Sequence, residues 1–402
     1  YFLRRHGIDV TVLERHGEPA KGASYGNGGY LQATVPDPWN APGIGKVFRA
    51  AWFASLSGRE DESAFVARTL ALPGLINWGR KFLKNANLET YLNHTIRNWR
   101  LAQYSLQVTS ALAADEDIHY DAADNGGLIL FRSESSLTEY EQLAQHMAEQ
   151  GARYERLGRE ALFEREPSLA PLGEQLVGAI YYPDDRAGNS RDFCKGVAYA
   201  AQRSGVKFEF KASVSGLAAT REGTRVVVGS TDLLSDAVVI ASGIGSRELG
   251  RQVGLNLPIA PAKGYSISVP MRDWQERPTH VMADMGVHAG VNPMGDTLRV
   301  AGTAEFSGEN LNISDGRVSY LIDLMRQLYP QYAVSIDRKE IDAWAGLRPL
   351  SAVGLPIIGE TPVRGVYLNT GHGGLGWTQG AGSSMALADL IAGKEPEIDL
   401  SG

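Results

Sequence analysis

Apolar positions along this chain follow two rhythms that change place several times. Residues 1–5 carry the apolar positions and late basic residues of a helix end, and Gly7 stops it. Residues 8–13 then read as a short buried strand closed by Glu14. From Ile44 to about Leu112 the spacing is helical, through Ala51, Trp52, Leu75, Phe82, Trp99 and Val108, and it predicts core packing for those aromatics. Strands are predicted at 128–131 and 178–182 around a helix at 136–150, then a helix at 192–203 and strands at 206–210, 212–217 and 224–229. An apolar run at 237–241 ends in small residues ahead of a helix, the form of a strand that delivers backbone to a nucleotide at a sheet edge. Residues 257–345 alternate like antiparallel strands, with turn signals at Asn292-Pro293 and Gly295-Asp296 and a helix at 319–329. The last stretch returns to α/β texture: a strand at 366–368, a glycine-dense turn at 371–382 and a helix.

The order of textures predicts an α/β protein. A discontinuous Rossmann-like domain is expected from residues 1–45, 186–255 and 346–402, with strands 8–13 and 237–241 in one sheet. An α+β domain of mainly antiparallel sheet is expected as two inserts, 46–185 and 256–345. A length of 402 residues is ample for two such units. A net charge of −7 with no basic block argues against a nucleic-acid surface. The single cysteine, Cys194, excludes an internal disulfide and fits a reducing, cytoplasmic compartment. No apolar run reaches the ~20 residues of a membrane span.

Helix, glycine, strand and terminal acid at 1–14 resemble the second half of a βαβ unit, in which the acid bonds the ribose of an adenine dinucleotide. The glycine fingerprint of that unit belongs roughly 20 residues earlier, before Tyr1, so a chain truncated at this end is expected. A solvated acid is the other reading of Glu14. The loop 22–43 places Gly26, Gly28 and Gly29 close together, which suits close approach to a pyrophosphate or ribityl chain. The turn 371–382 has six glycines in twelve residues, and the helix after it points unpaired N–H groups into the turn. A reduced flavin, with negative charge at its N1–C2=O edge, needs such help. No His/Asp/Glu cluster has metal spacing.

VTVLER (10–15), SYGNGGYLQ (24–32), PWNAPG (38–43), KGYSIS (263–268), GTAEF (302–306), GLRPLSAVGLPIIG (346–359) and LNTGHGGLGWT (368–378) occur in one order across the chain. In these the sequence resembles the D-amino-acid oxidase superfamily of FAD-dependent oxidoreductases, and within it the bacterial D-amino-acid dehydrogenases. The resemblance implies FAD, held by Glu14, Arg15, Ser24, Asn27, Gly28, Gly29, Val214, Ala241, Ser242 and Gly243. It places the flavin ring against Gly371, Gly373, Gly374, Leu375, Gly376, Trp377 and Thr378. It implies a substrate carboxylate at Arg348, a second hydroxyl ligand in Tyr265, and His372 either donating to the flavin or packing. The implied reaction is oxidative deamination of a D-amino acid by hydride transfer from Cα to flavin N5, with electrons passed to a quinone or another respiratory-chain acceptor. Three alternatives stay open: an O₂-using oxidase of the glycine or sarcosine oxidase kind, a D-hydroxyproline dehydrogenase, and an FAD-binding module without turnover. PDDRAGNSRDF (183–193) departs from the dehydrogenases' pattern, and IDLSG ends the chain where relatives run on. Relatives work at the inner face of the membrane, and KVFRAAWFASLSGR (46–59) suits either an interfacial or a buried helix.

Overall fold

The computed structural model describes residues 1–57, 64–286, 289–334 and 336–400. Its main element is a nine-stranded, largely antiparallel sheet. Three long strands form one end of it. Ile259–Pro270 lies in the middle and pairs antiparallel with both Asp342–Ser351 and Thr297–Phe306. Ala289–Met294 and Val281–Asp284 follow, and Gly127–Phe131, Gly178–Tyr182 and Glu155–Gly158 complete the far end. The short strand Phe65–Ala67 pairs with the end of Thr297–Phe306.

Strand side chains alternate between two faces, and here the faces differ in chemistry. Tyr265, Ile267, Val269, Leu298, Val300, Val291 and Met282 share one face. They form the largest core with Val318, Leu321, Ile322 and Met325 of the helix Asp315–Leu328. Each such fully buried side chain contributes about 1.5–3 kcal/mol, which fixes the register of the three long strands. The opposite face carries Gly264, Ser266, Ser268, Gly290, Ala301 and Arg348. It receives the loop that follows Gly22.

The remaining strands form small sheets. Thr11–Glu14 pairs parallel with Lys207–Phe210, and Val238–Ile240 pairs parallel with Val366–Thr370, which also pairs with Ile357–Glu360. Residues 8–13 and 237–241 therefore stand in different sheets, contrary to expectation. Each strand completes its ladder with another partner, and no ladder joins the two pairs among the described residues. Two further expectations shift. The boundary at 345/346 falls inside Asp342–Ser351, a continuous strand of the large sheet. The long helix Leu88–Glu116, expected in the inserted unit, packs on the C-terminal helix Gly376–Ile391. That contact needs Gly382: a Cβ there would lie 2.7 Å from Ser105 Cα, and Gly382 N donates to Ser105 Oγ at 2.9 Å. Helices predicted at 136–150 and 319–329 occur as Glu134–Ala148 and Asp315–Leu328. Among the described residues no helix is long and apolar enough to cross a membrane. Gly58 and Arg59 of the segment 46–59 lie outside the described residues.

Candidate active site

Arg348 stands opposite Ala262 on the polar face of the large sheet. Its guanidinium lies flat over Gly264, where an added Cβ would come within 2.2 Å of Nη1, so only glycine leaves room for it. Nη1 donates to the Thr303 carbonyl at 3.0 Å, and the guanidinium carbon is 5.6 Å from the centre of the Trp39 ring. No carboxylate pairs with Arg348 among the described residues. Burial lowers its pKa to about 10, which leaves it charged at neutral pH. Arg348 is half-buried, and a charge partly withdrawn from water without a counterion is disfavoured. Such a cation is poised for an anion brought from outside.

Polar atoms without partners gather on the same face. Tyr30 Oη, Thr303 Oγ1 and Asn292 Oδ1 are buried and accept or donate no hydrogen bond among the described residues. Thr303 also holds φ at +64°, unusual for a β-branched residue. Tyr30, Thr303, Asn292 and Trp39 were not foreseen as site residues. Three of them lie within the motifs SYGNGGYLQ, PWNAPG and GTAEF, but those strings show neither which way a side chain points nor the sign of φ.

Tyr265 does not join Arg348. It lies opposite Ala345, one residue out of phase with the Ala262–Arg348 pair, so it points to the other face. Its hydroxyl donates to Glu305 Oε2 at 2.9 Å. Glu305 is almost wholly buried and also pairs with Lys263 at 3.3 Å and Arg68 at 3.0 Å. These groups line a separate cavity of ≈ 580 Å³ with Asn312 and Leu70.

The glycine turn reaches the site through backbone contacts. His372 makes an antiparallel bridge with Leu350, two residues beyond Arg348. Its imidazole lies 3.2 Å from Ser383 Oγ, and burial lowers its pKa to about 4. It is neutral at physiological pH and a weak base, so packing and hydrogen bonding suit it better than proton abstraction. Gly371 and Gly373 take φ of +77° and +57°, a conformation that favours glycine. Gly374 is exposed, and a Cβ there would lie 3.9 Å from Trp39 Nε1. The helix Gly376–Ile391 begins without a side-chain cap, directly after the 3₁₀ turn Gly373–Leu375, and its positive end points at the glycine turn. The Trp377 indole turns inward, against Tyr120 and Phe193, and donates to the Gly188 carbonyl at 3.2 Å. Thr378 Oγ1 donates to the Tyr30 carbonyl at 3.1 Å. The side chains of Trp377 and Thr378 thus serve the protein's own packing and hydrogen bonding.

Ala241 and Ser242 are exposed at the end of Val238–Ile240, and a Cβ on Gly243 would meet nothing within 4 Å. Thr370 Oγ1 donates to the Gly243 carbonyl at 3.2 Å, which joins this edge to the glycine turn. The loop 24–29 is clamped to the polar face of the sheet. Ser266 Oγ donates to the Gly26 carbonyl at 2.6 Å, Arg299 Nη1 to Asn27 O at 2.9 Å, and Asn292 Nδ2 to Gly28 O at 3.2 Å. Ser24 O accepts from Ser190 Oγ at 2.8 Å. Glu14 and Arg15 stand apart from these groups in the Thr11–Glu14 pair, with Val214 close behind, since Ala212 N donates to Glu14 O at 2.9 Å. The Glu14 carboxylate accepts from His16 N at 2.8 Å. An open glycine cradle, an uncapped helix start and exposed small residues at two parallel strand ends fit a flat ligand with an anionic edge, and FAD is such a ligand.

The sequence model of the family described as "FAD dependent oxidoreductase" matches residues 1–390. The chain is 36% identical over 404 aligned residues to D-amino acid dehydrogenase 2 of Mesorhizobium japonicum, covering 100% of this chain and 95% of that one. It is 33% identical to D-amino acid dehydrogenase of Vibrio vulnificus, covering 99% and 93%. Among solved structures, glycine oxidase from Geobacillus kaustophilus superposes with a TM-score of 0.76 at 22% identity, covering 100% of this chain and 92% of that one. L-proline dehydrogenase from P. horikoshii gives 0.75 at 14%, covering 99% and 90%. At these identities the two structures speak for the fold.

Proposed function

We propose, for a chain that belongs to the FAD dependent oxidoreductase family, that it oxidises D-amino acids to 2-oxo acids and ammonia. The observation that carries this reading is Arg348, a half-buried guanidinium with no carboxylate beside it among the described residues. A planar guanidinium holds a carboxylate through two parallel hydrogen bonds. One nitrogen is engaged by the Thr303 carbonyl, which fixes the plane of the fork. The cation also disfavours the ammonium form of a bound amino acid, because like charges repel in a site shielded from water. The amine is then neutral and its lone pair available as the Cα–H bond breaks. FAD, when bound, supplies the acceptor for the hydride leaving Cα, and the imino acid that results hydrolyses in water. The chain's own contribution is chiefly positioning. The relatives named as D-amino acid dehydrogenases support the D-amino acid as substrate.

In this reading the flavin ring lies against Gly371 and residues 373–378, the pyrophosphate near Ser24–Gly29 and Ala241–Gly243, and the adenosine near Glu14, Arg15 and Val214. The cofactor domain is the discontinuous one, with its last boundary moved beyond Ser351. The electron acceptor is a membrane quinone. Phe53, Leu56 and Leu70 are 57%, 58% and 97% exposed near Lys46 and Arg49, which supports peripheral contact with an anionic bilayer. Stoichiometric peroxide formation under O₂ would point to an oxidase instead.

Arg348→Met tests the site. Loss of a bidentate pair, with each charge-assisted bond worth about 1.5–3 kcal/mol, should lower kcat/KM for D-alanine at least about a hundredfold. FAD content should persist, and Tm should hold or rise, because methionine removes a half-buried charge without a counterion. Arg348→Lys should recover only part of the activity. Near-normal kcat/KM with full flavin in Arg348→Met would remove Arg348 from substrate binding.

A further inference from the structure

We propose that the Tyr30 hydroxyl donates a hydrogen bond to the same substrate carboxylate as Arg348, so that the glycine loop itself takes part in selecting the substrate. The inference rests on Arg348 being that carboxylate's ligand. Tyr30 is fixed at both ends of its backbone unit. The two-residue strand Tyr30–Leu31 pairs with Arg186–Ala187, and the Tyr30 carbonyl accepts from Thr378 in the cofactor turn. Its side chain then lies across bare backbone of the large sheet. A Cβ on Gly290 would lie 1.6 Å from the hydroxyl, and one on Gly28 2.6 Å from Cε2, so both glycines are required by this ring.

Arg348 and Tyr30 approach one strand from opposite sides. The guanidinium crosses Gly264 of Ile259–Pro270 and reaches the carbonyl of Thr303 in Thr297–Phe306. The tyrosine tip rests on Gly290 of Ala289–Met294, the strand on the other flank of Thr297–Phe306. The hydroxyl is buried and has no hydrogen-bond partner among the described residues. A buried hydroxyl without a partner is disfavoured unless a ligand supplies one. Arg299 and Arg348 are both near enough to act on it electrostatically, but burial outweighs them and keeps the phenol protonated. A protonated phenol within electrostatic reach of a guanidinium, on the same face of the sheet, is a donor available to an anion held there. Tyr265 cannot take this part, because it faces the other side of the sheet and serves Glu305.

Tyr30→Phe in the FAD-loaded enzyme removes the hydroxyl and keeps the ring over its glycines. KM for D-alanine should rise about tenfold, the effect of one hydrogen bond to a charged group, while kcat, FAD content and Tm stay close to wild type. Combined with Arg348→Met, the effect should be less than multiplicative, since both groups serve one carboxylate. An unchanged KM in Tyr30→Phe beside a crippled Arg348→Met overturns the Tyr30 assignment and leaves Arg348 standing. A normal Arg348→Met overturns both. Lost flavin or a lowered Tm with unchanged KM marks Tyr30 as structural and also overturns the assignment. Should Tyr30→Phe fail to fold, 3-fluorotyrosine at position 30 of the holoenzyme gives an independent reading. Its ¹⁹F resonance should move on titration with acetate, and a resonance that does not move overturns the assignment.

Discussion

Thr303 pairs an unusual backbone with a useful carbonyl. A β-branched residue at φ +64° carries strain of about 1–3 kcal/mol. The carbonyl it presents is the one that Arg348 donates to. Thr303→Gly should relieve the strain and leave Tm unchanged or higher. It should also loosen the guanidinium, so that kcat/KM for D-alanine falls about tenfold, equivalent to ~1.4 kcal/mol. A lower Tm with unchanged kcat/KM would show that Thr303 serves stability alone. The sequence disclosed the residues of this site unevenly. Arg348 and the glycines of 371–376 stand out as candidates in the sequence because their chemistry is written in residue type. Thr303 does not, since the sign of φ leaves no mark on a threonine. Tyr265 misled because its strand and that of Arg348 are far apart in sequence. A one-residue difference in register sends a side chain to the opposite face, and register is set by the core beneath the sheet.

At the scale of elements, the large sheet shelters an acid at Gly127, on the face away from Leu128 and Leu130. Asp185, in the turn before Arg186–Ala187, has no exposed surface and accepts from Thr34 N at 3.3 Å and from the Thr34 hydroxyl. It joins the chain after Tyr30–Leu31 to the large sheet. Burial raises its pKa to about 7 against those hydrogen bonds. An unfolded aspartate releases its proton near pH ~3.9. Between those values the folded state holds a proton that the unfolded state has given up, so stability falls as pH rises from about 4 to about 7. Asp185→Asn can keep the contact with Thr34 N and removes the titration. The wild-type Tm should therefore drop more between pH 5 and pH 8 than that of Asp185→Asn, read by calorimetry. Parallel drops in the two proteins would show that Asp185 does not titrate in this range. Helices and strands were legible in kind and shifted by a few residues at their ends, because apolar rhythm reports which face is buried but caps decide where an element stops.

For the whole molecule, the large sheet separates two charge systems. Arg348 and its orphaned neighbours lie on one face, and Lys263, Glu305 and Arg68 lie at the other, beside the cavity that Leu70 borders. Leu70 is exposed there, and the exposed Phe53 and Leu56 stand on the helix Ile44–Leu56 close by. If they dock on a bilayer, Phe53→Ser with Leu70→Ser should reduce co-sedimentation with vesicles containing anionic phospholipid, while activity with a soluble dye acceptor persists. Equal co-sedimentation of wild type and variant would remove this patch from membrane contact. The alternation of α/β and α+β textures anticipated the class of fold. The partners of residues 8–13 and 237–241 were not legible, because pairing between strands far apart in sequence depends on the packing of everything between them.

The carbonyl clamp on residues 26–28 has an evolutionary consequence. Gly26 and Ser266 are separated by 240 positions yet share one hydrogen bond, and Asn27 and Gly28 hold similar partnerships with Arg299 and Asn292. The loop contributes only carbonyls, which every residue type has, whereas the sheet contributes side-chain donors that few residue types can replace. The sequence constraint of the clamp therefore falls on positions 266, 292 and 299, and a loop of other side chains with the same backbone path can be exchanged without losing it.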